Sequence, residues 1–431
     1  MKRRHFLATT AGAAGALALG CTPSASGSSP AAAPEPEHDA SLPAVIRALK
    51  PLTPAVTPIS VQERLGRIEK ARRLMVENNL DAIFMEGGSS LFYYTGVRWG
   101  LSERPFGVVI PARGEMAWIS PGFEEARARE LISFGDDVRV WQEDESPYAL
   151  IASILRDRGI ATGQLGIEER VRFFIADGIR EAAPQLSLHG AVPVTAGCRM
   201  FKSPAEIALM QRANDITIAA YKAAWGTMYD GMPQHEFERN ISAAFTALGA
   251  GGAVFAQFGK YTAFPHGSAT PQVLREGDMV LVDDGVSVEG YQSDITRTGV
   301  FGKPTQRQRD IWELERHAQD AAFRAAQVGA TCESVDAAAR KVITDAGFGP
   351  GYKVPGLPHR TGHGIGVDGH EWTNLVKGNK TRIQPGMCFS NEPTIAIYGE
   401  FGVRLEDCMY ITEDGPRFFT QQAPSIDHLF A

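Results

Sequence analysis

The chain has 431 residues and a formal net charge of −7, and this acidic balance argues against a nucleic-acid-binding protein because no basic excess is present to neutralise phosphates. Hydrophobic residues make up 44% of the sequence, which is enough for a substantial core and excludes a mainly disordered chain. Five cysteines lie far apart without a Cys-x-x-Cys pair, so the sequence disfavours a disulfide framework and a thiolate zinc site.

The N-terminus is typical of an export signal rather than of folded structure. Arg3 and Arg4 precede an apolar run that is too short to span a bilayer, and the pattern resembles the twin-arginine signal; an ordinary export signal with a basic start is the alternative. Gly20-Cys21 resembles a bacterial lipobox, although the residue before Gly20 is larger than usual. We therefore predict an export signal over residues 1–21 and a periplasmic protein, either free or anchored to the membrane by a lipid on Cys21.

A linker and a first domain are predicted after the signal. Residues 22–59 are rich in Ala, Pro and Ser, which indicates a solvated linker. Ser60 then opens a capping-box pattern that starts a helix with one apolar face. Strands and helices alternate beyond it, which predicts an α/β domain over residues 60–198 without a catalytic constellation. The predicted strands cover residues 80–85, 91–97, 106–110, 116–119, 138–141 and 165–167, and the predicted helices cover residues 148–158 and 170–183.

A second domain is predicted over residues 199–431. A capping-box pattern at residues 203–206, with proline at the first helical position, starts a long helix that ends near residue 228. Two more helices are predicted at residues 306–327 and 332–346. Strand-rich stretches lie between and after these helices, and the residues capable of chemistry are concentrated there.

Two pairs of acidic residues are placed to face each other across predicted hairpins. A hairpin that turns directly after Val288 would bring Asp283 opposite Asp294, with Cβ atoms about 5 Å apart. A second hairpin, centred on a Tyr-Gly-Glu stretch, would bring Glu392 opposite Glu406 in the same way. Either pair alone is commonly solvated, but four converging acids carry a large desolvation and repulsion cost without a cation. The pairs together therefore indicate a metal site.

Three of the ten histidines, His359, His363 and His370, lie within twelve residues. Glycines on both sides of His363 let its backbone approach a ligand or a neighbouring strand. A structural role is the alternative for any one of these histidines alone, but the cluster favours a functional site. Gly364, Gly366 and Gly369 also match a dinucleotide fingerprint formally. No apolar strand precedes them, no helix pattern follows and the expected acid is missing, which disfavours dinucleotide binding.

These motifs resemble the creatinase, aminopeptidase P and prolidase group of metallopeptidases, family M24. The resemblance covers residues 199–431 strongly and residues 60–195 weakly. It implies an α/β (α+β) protein in which a C-terminal pita-bread catalytic domain is preceded by a smaller creatinase-type α/β domain. The five metal ligands of the family match Asp283 in Asp-x-Gly, Asp294 in Ser-Asp-Ile-Thr-Arg-Thr, His363 in Gly-His-Gly-Ile-Gly, Glu392 in Asn-Glu-Pro and Glu406 in Val-Arg-Leu-Glu-Asp.

The resemblance implies two divalent metal ions per chain, bridged by Asp294 and Glu406. Asp283 would complete the ligands of one ion, and His363 with Glu392 those of the other. Four carboxylates balance the charge of two divalent ions, and an oxygen-rich set with one imidazole suits Mn²⁺, with Co²⁺ or Zn²⁺ as alternatives. A water between the metals would be the nucleophile, and Glu392 is the predicted acceptor of its proton.

Four further residues match the substrate site of the family. His266 and His370 match its active-site histidines, which would donate to the scissile carbonyl and position the substrate. His359 matches the histidine beside the proline pocket. Arg404 matches a basic residue that pairs with acids near the site, and an exposed strand arginine is the alternative.

The sequence departs from the family pattern around the pocket. The departures are Thr394, Ala396 and Thr373, and they bear on substrate preference rather than on the metal ligands. Tyr398 is a candidate replacement for the pocket tyrosine that is usual at position 396.

We predict an exported dinuclear-metal peptidase that cleaves the Xaa-Pro bond of proline-containing dipeptides and forms a homodimer. Dipeptides are preferred because the N-terminal domain is compact and because Lys377, Lys380 and Arg382 could bind a substrate carboxylate. Aminopeptidase P activity on longer peptides is the runner-up. The intact ligand set disfavours another class, a non-metal creatinase-like hydrolase or a peptide-binding pseudoenzyme, and the additional N-terminal domain disfavours a methionine aminopeptidase.

Overall fold

The computed structural model describes residues 42–54 and 56–430 of the chain. The predicted export signal, with Arg3, Arg4 and Cys21, lies outside these described residues. Within them, no helix is both long enough and apolar enough to span a membrane.

A six-stranded mixed sheet organises the first half of the described chain. Its strands are β1 (Ala82–Glu86), β2 (Gly107–Pro111), β3 (Ala117–Pro121), β4 (Val138–Trp141), β5 (Gly163–Ile167) and β6 (Leu186–Gly190), and the helices of this half are α1 (Ala44–Arg47), α2 (Val61–Glu77), α3 (Ser89–Thr95), α4 (Glu125–Leu131), α5 (Pro147–Asp157), α6 (Phe173–Ala182) and α7 (Val192–Arg199). The strand order is β4-β3-β2-β1-β5-β6. The pairs β1–β2 and β2–β3 are antiparallel, and the other neighbours are parallel.

Helices cover both faces of this sheet, which explains the unbroken apolar sequence of its central strand. Ala82 and Phe84 of β1 face a cluster that includes apolar residues of α5 and α6. Ile83 and Met85 face the opposite cluster, which includes residues of α2, α3 and α7. A strand that is buried on both faces has no polar side, so the pattern is a continuous apolar run rather than an alternation.

The second half of the chain contains two α/β layers that meet at the predicted functional residues. Its helices are α8 (Pro204–Trp225), α9 (Gln234–Ala247), α10 (Gln306–Ala325) and α11 (Cys332–Asp345), and its strands are β7 (Gly251–Phe258), β8 (Met279–Val288), β9 (Tyr291–Gln292), β10 (Arg297–Val300), β11 (Gly362–Gly364), β12 (Glu371–Leu375), β13 (Cys388–Asn391), β14 (Thr394–Ile397), β15 (Phe401–Arg404), β16 (Asp407–Thr412) and β17 (Gly415–Phe418). Helices α8 and α9 pack on the sheet β10-β8-β7, and α10 and α11 pack on the sheet β12-β11-β13-β16-β17 and on the ribbon β14-β15. This arrangement agrees with the predicted fold class.

Local sequence signals place several helix ends correctly. Ser203 accepts a hydrogen bond from the Glu206 backbone N–H while the Glu206 carboxylate accepts one from the Ser203 N–H, so the capping box at the start of α8 is complete. Ser60 also caps α2 by accepting from the Glu63 backbone N–H. Helix α11 ends at Asp345, and Gly347 follows with φ +91°, a conformation that favours glycine.

One strand prediction is wrong. Residues 91–97 were expected to form a strand, but Ser89–Thr95 is helix α3. Residues 90 to 95 are all buried, so neither helical nor strand periodicity is visible in this apolar and aromatic run. The Thr95 hydroxyl donates to the Leu91 carbonyl, a contact that spans one helical turn.

The predicted linker over residues 22–59 is too long at its C-terminal end. Ile46 of α1 is fully buried, and α1 packs against α8 and α9. The Leu52 backbone N–H also donates to the Leu248 carbonyl at 2.9 Å. The C-terminal part of this Ala- and Pro-rich segment therefore contains a few apolar side chains that pack on the second half of the chain, which overall composition does not reveal. The predicted domain boundary between residues 198 and 199 remains a prediction.

Candidate metal centre

Nine side chains singled out from the sequence line one cavity of about 450 Å³ in the second half of the chain. They come from five separate stretches of sequence, which explains why no local pattern reveals the whole set. They are His266, Asp283, Asp294, His359, His363, His370, Glu392, Arg404 and Glu406, and Phe255, Asp284 and Arg360 complete the lining.

The first acid pair is brought together, but in a different register from the predicted one. Strand β8 pairs with β9 and β10 so that the turn falls at Glu289-Gly290, one residue later than expected. Both turn residues have positive φ, +48° and +89°. Asp283 and Asp294 are therefore diagonal rather than directly opposite. They still lie on one face, because this change moves the pairing by two residues and side chains alternate with a period of two.

The second acid pair has the predicted register. Strands β14 and β15 pair around the turn at Gly399, and β13 and β16 pair in the same register farther along. Glu392 and Glu406 lie between these two ladders and directly opposite each other. The Glu392 backbone N–H donates to the Thr361 carbonyl at 2.9 Å, and the Glu406 N–H donates to the Thr296 carbonyl at 3.1 Å. These two bonds connect the glutamates to the segments that carry the histidines and the aspartates.

His363 is held with one ring nitrogen directed at the acids. Its side chain is 1% exposed, and its Nδ1 lies 3.0 Å from the Gly364 carbonyl, so Nδ1 carries the proton and donates. Nε2 lies 3.2 Å from Glu392 Oε1 and 3.6 Å from Asp294 Oδ2. Burial lowers the pKa of His363 well below its ordinary value. The neutral ring with a free Nε2 lone pair is the form that binds a metal.

The glycines around His363 are explained by close strand packing. A Cβ at Gly362 would clash with the Ser390 carbonyl oxygen, and a Cβ at Gly364 would lie 2.7 Å from the Trp372 carbonyl oxygen. The sequence-based expectation of a close backbone approach is therefore correct, and its cause is the pairing of β11 with β12 and β13.

Burial and mutual repulsion make the charged form of these carboxylates unfavourable unless a cation lies between them. Burial and then the neighbouring acids raise the pKa of Asp294 and of Glu406 well above the ordinary range. Burial also raises the pKa of Glu392 to about 7 and that of Asp284 to about 6. Glu406 Oε1 is buried and has no hydrogen-bond partner in the described residues. Such a set of inward-facing oxygens fits divalent cations, which would satisfy both the charge and the orphaned oxygen.

The donor atoms group in a way that suits two adjacent ions. Within each of three groups the donor atoms lie no more than 4.8 Å apart: Asp283 with Asp294 and Glu406, His363 with Glu392 and Glu406, and Asp294 with His363 and His370. Asp294, Glu406 and His363 each belong to two of these groups, and of these three only the carboxylates have two oxygens with which to bind two ions. His370 appears in the third group, so its role as a non-ligand stays a prediction.

Two residues support the aspartate side of the centre. The Arg404 guanidinium pairs with Asp283, and its Nε–H donates to Thr296 Oγ1 at 2.9 Å. The Thr296 hydroxyl lies 2.5 Å from Asp283 Oδ1 and 2.7 Å from Glu406 Oε2. Arg404 is buried, so the exposed-arginine alternative is wrong. Thr296 was not singled out in the sequence, although the observed β8–β10 register places it directly opposite Asp283.

His359 forms part of the cavity wall and is already hydrogen-bonded within the protein. Its Nδ1 donates to the Arg360 carbonyl at 2.7 Å, and its Nε2 lies 2.9 Å from the Thr394 hydroxyl. Burial, and then Arg404, lower its pKa to about 3. The Thr394 hydroxyl therefore engages the second ring nitrogen of His359, so both nitrogens are hydrogen-bonded within the protein.

His370 lines the cavity, and its hydrogen bond with Arg360 fixes its tautomer. An Arg360 N–H lies 3.2 Å from His370 Nδ1. Because a guanidinium can only donate, Nδ1 must accept and the ring proton must reside on Nε2. Burial, and then the charge of Arg360, lower the pKa of His370, which favours this neutral tautomer. The ring centroid of His370 lies 4.0 Å from that of His363.

Two expectations about the pocket are wrong. Lys377, Lys380 and Arg382 do not line the cavity: Lys380 pairs with Glu333 on α11, and Arg382 donates to the Gly329 carbonyl at 2.7 Å. Lys380 and Arg382 therefore lie beside the start of α11, and Lys377 is exposed. Tyr398 is also outside the lining, because its ring packs on Phe264 with a centroid separation of 5.2 Å. Arg360 is the cavity cation that the sequence interpretation missed, although it directly follows His359.

A buried ion cluster joins the first half of the chain to the segment that carries His370. Glu371 accepts from Arg199 and from Lys202, the latter at 2.9 Å. It also accepts from the backbone N–H groups of Val367 and Asp368 at 2.9 and 3.2 Å. This one carboxylate therefore fixes the loop before His370 against α7.

Glu371→Gln is expected to destabilise the protein and to weaken its sensitivity to acid. Burial alone would raise the pKa of Glu371, but Lys202 and Arg199 outweigh it and hold the pKa at about 2. The carboxylate therefore stabilises the fold fully above its unfolded value of about 4.3, and this contribution is lost as the pH falls towards 2. Breaking such a pair costs about 3–5 kcal/mol near pH 7. Thermal midpoints at pH 7, 5, 4 and 3 test this, and parallel curves for wild type and variant would contradict it.

Comparison with known proteins places the chain among peptidases. Residues 208–413 match metallopeptidase family M24, and residues 67–201 match the creatinase/prolidase N-terminal domain. An Xaa-Pro dipeptidase of Lactobacillus helveticus is 32% identical over 361 residues, which is 82% of this chain and 96% of the relative. A dipeptidase structure from Pyrococcus horikoshii has 30% identity and a TM-score of 0.76, covering 82% of this chain and 98% of that one. An X-Pro aminopeptidase structure from Thermotoga maritima has 25% identity and a TM-score of 0.69, covering 82% and 97%.

Proposed function

Because this chain belongs to metallopeptidase family M24 and is a peptidase, we propose that it hydrolyses the Xaa-Pro bond of dipeptides with two divalent metal ions. The observation that carries this proposal is the convergence of Asp283, Asp294, His363, Glu392 and Glu406 at one cavity. An intact donor set of this kind argues against a non-metal hydrolase and against a peptide-binding pseudoenzyme.

The five side chains would hold both ions, with Asp294 and Glu406 shared between them. Four carboxylates match the charge of two divalent ions, and the mixture of oxygen donors with one imidazole favours Mn²⁺, with Co²⁺ or Zn²⁺ as alternatives. When bound, such ions polarise a carbonyl oxygen and lower the pKa of water to near neutrality. Arg404 and Thr296 hold the carboxylates in place and are positioning residues.

The chain's own groups provide proton transfer and orientation. Glu392 is the proposed acceptor of the proton of the attacking water. His370 would donate from Nε2–H to the scissile carbonyl oxygen as negative charge develops there. His266 lines the same cavity and would position the substrate beside it. His359 contributes its ring to the wall, because both of its nitrogens are engaged within the protein.

A second candidate is aminopeptidase P activity on longer peptides. A cavity of about 240 Å³ adjoins the metal cavity and shares Arg360 and His370 with it. This space could receive residues beyond the proline. The similarity to an X-Pro aminopeptidase supports the same alternative.

Hydrolysis of Ala-Pro and of Ala-Pro-Ala by Mn²⁺-loaded protein tests the proposal. We expect both cleavage at the Xaa-Pro bond and a preference for the dipeptide; a preference for the tripeptide would favour the aminopeptidase. Exhaustive chelation should abolish activity, and re-addition of Mn²⁺ should restore it. Full activity after chelation, or no cleavage of either peptide, would refute the metallopeptidase proposal.

We further propose that the protein is exported by the twin-arginine route to the periplasm, where it is either free or anchored by a lipid on Cys21, and that the mature chain is a homodimer. The sequence Arg3-Arg4 supports the route, and Gly20-Cys21 supports the anchor. Replacing both arginines by lysine should leave the protein in the cytoplasm. Mass spectrometry of the mature N-terminus decides on Cys21, and light scattering decides on the dimer.

A further inference from the structure

Arg360 lies where the metal cavity meets the adjoining cavity. It is partly buried and belongs to the lining of both spaces. Its guanidinium donates to His370 Nδ1 at 3.2 Å, which leaves the ring proton on Nε2. A group bound by Arg360 would therefore lie on the Nδ1 side of the ring whose Nε2–H is the proposed donor to the scissile carbonyl.

Arg360 differs from the other cavity arginines in its lack of an acidic partner. Arg170, Arg199 and Arg404 also line the two cavities, and each forms an ion pair with an aspartate. No carboxylate oxygen of the described residues lies within 4.0 Å of the Arg360 guanidinium. A partly buried cation without an anion retains unused donors, and a planar guanidinium is suited to a carboxylate or a phosphate.

The covalent structure of an Xaa-Pro dipeptide places a carboxylate near this point. Only the proline nitrogen and α-carbon separate the C-terminal carboxylate from the scissile carbonyl carbon. When His370 Nε2 contacts that carbonyl oxygen, Arg360 lies across the ring at Nδ1, and the three bonds from the scissile carbon to the carboxylate, together with the length of the guanidinium, can span this separation. In a longer peptide an uncharged amide occupies this position and the chain continues into the adjoining cavity.

We propose that Arg360 binds the C-terminal carboxylate of the dipeptide substrate and thereby selects dipeptides over longer peptides. The inference rests on the proposed Xaa-Pro hydrolysis and deepens it. It assigns to Arg360 the role that the sequence interpretation gave to Lys377, Lys380 and Arg382. The same guanidinium also keeps the proton of His370 on Nε2, so its loss has a general effect and a carboxylate-specific effect that must be separated.

The test compares Ala-Pro with Ala-Pro amide, which differ only in the terminal charge. Wild-type kcat/KM should favour the acid about 10- to 100-fold, as is typical of a hydrogen bond to a charged group. Arg360→Gln should reduce this acid-to-amide ratio to about 1, whatever rate loss it causes with both substrates through His370. Arg360→Lys should restore part of the ratio. Lys377→Gln, on the exposed cluster outside the cavity, is the matched control and should keep the wild-type ratio.

The outcomes separate the inference from the function on which it rests. Cleavage of both substrates with an unchanged acid-to-amide ratio in Arg360→Gln would overturn the role of Arg360 and leave Xaa-Pro hydrolysis intact. A ratio that falls only in Lys377→Gln would return the role to the surface cluster and would also overturn it. Absence of cleavage of either substrate by the metal-loaded wild type would refute the proposed function and the inference with it. Metal content, measured for every variant, should remain at the wild-type level.

Discussion

Asp294→Ala and Glu406→Ala are each expected to lower kcat/KM for an Xaa-Pro dipeptide by on the order of 10³-fold or more and to reduce bound metal below two ions per chain. Each residue is a carboxylate proposed to be shared between the two ions, so each substitution would remove a ligand from both. The loss of Lewis-acid stabilisation is worth several kcal/mol, which corresponds to a rate effect of about this size. Elemental analysis beside steady-state kinetics gives both quantities on the same preparation.

Two controls separate metal binding from general damage. Asp284→Asn changes an acid that lines the same cavity but belongs to none of the three donor groups, so it should retain the wild-type metal content. Glu413→Ala changes an exposed acid and should retain both metal and rate. Asp294→Ala protein that keeps two ions and a normal rate would contradict the bridging assignment.

The sequence predicts the glutamate pair better than the aspartate pair for a geometric reason. Glu392 and Glu406 are flanked by two ladders with one register, and a glycine at the centre of the connecting turn defines that register. The turn after β8 uses Glu289-Gly290, and nothing in the sequence excludes the neighbouring position used in the prediction. The error did not separate the aspartates, because a shift of two positions in pairing leaves side chains on the same face.

Residues missed in the sequence depend on contacts that are distant along the chain. Thr296 is identified by its hydroxyl contact with Glu406 and by the Arg404 guanidinium that donates to it, more than one hundred positions away. Arg360 is identified by what it lacks, an acidic partner, which is visible only when every neighbouring carboxylate has been placed. The helix at residues 89–95 was missed because both of its faces are buried, so hydrophobic periodicity carries no information.

His370→Ala is expected to lower kcat by about 10²–10³-fold, which is typical of the loss of one donor to a developing oxyanion, while KM changes little. A donor whose hydrogen bond strengthens only as the carbonyl oxygen becomes charged contributes more to the transition state than to the bound substrate. The contact with Arg360 supports this role, because it fixes the ring proton on Nε2, the nitrogen proposed to donate to the carbonyl.

The three clustered histidines should respond differently, and the contrast tests each assignment. His363→Ala should lose metal and activity together, because Nε2 of His363 faces Asp294 and Glu392. His359→Ala should mainly raise KM for proline substrates. Both ring nitrogens of His359 are hydrogen-bonded, to the Arg360 carbonyl and to Thr394, so the residue contributes to the pocket wall by packing rather than as a hydrogen-bond donor to the substrate.

Metal content tests the assignment of His370 as a residue that does not bind metal. This test is needed because His370 also forms a possible ligand group with Asp294 and His363. A ligand needs a free lone pair on the nitrogen that faces the ion, whereas the Arg360 contact leaves His370 with a proton at that position. His370→Ala should therefore retain its metal while its kcat falls. Loss of metal in this variant would mean that the ring binds an ion through Nε2 and that Arg360 is displaced when the ion is present. A normal kcat with metal retained would instead transfer the carbonyl-donor role to His266, a cavity histidine whose ring nitrogens form no hydrogen bond within the described residues.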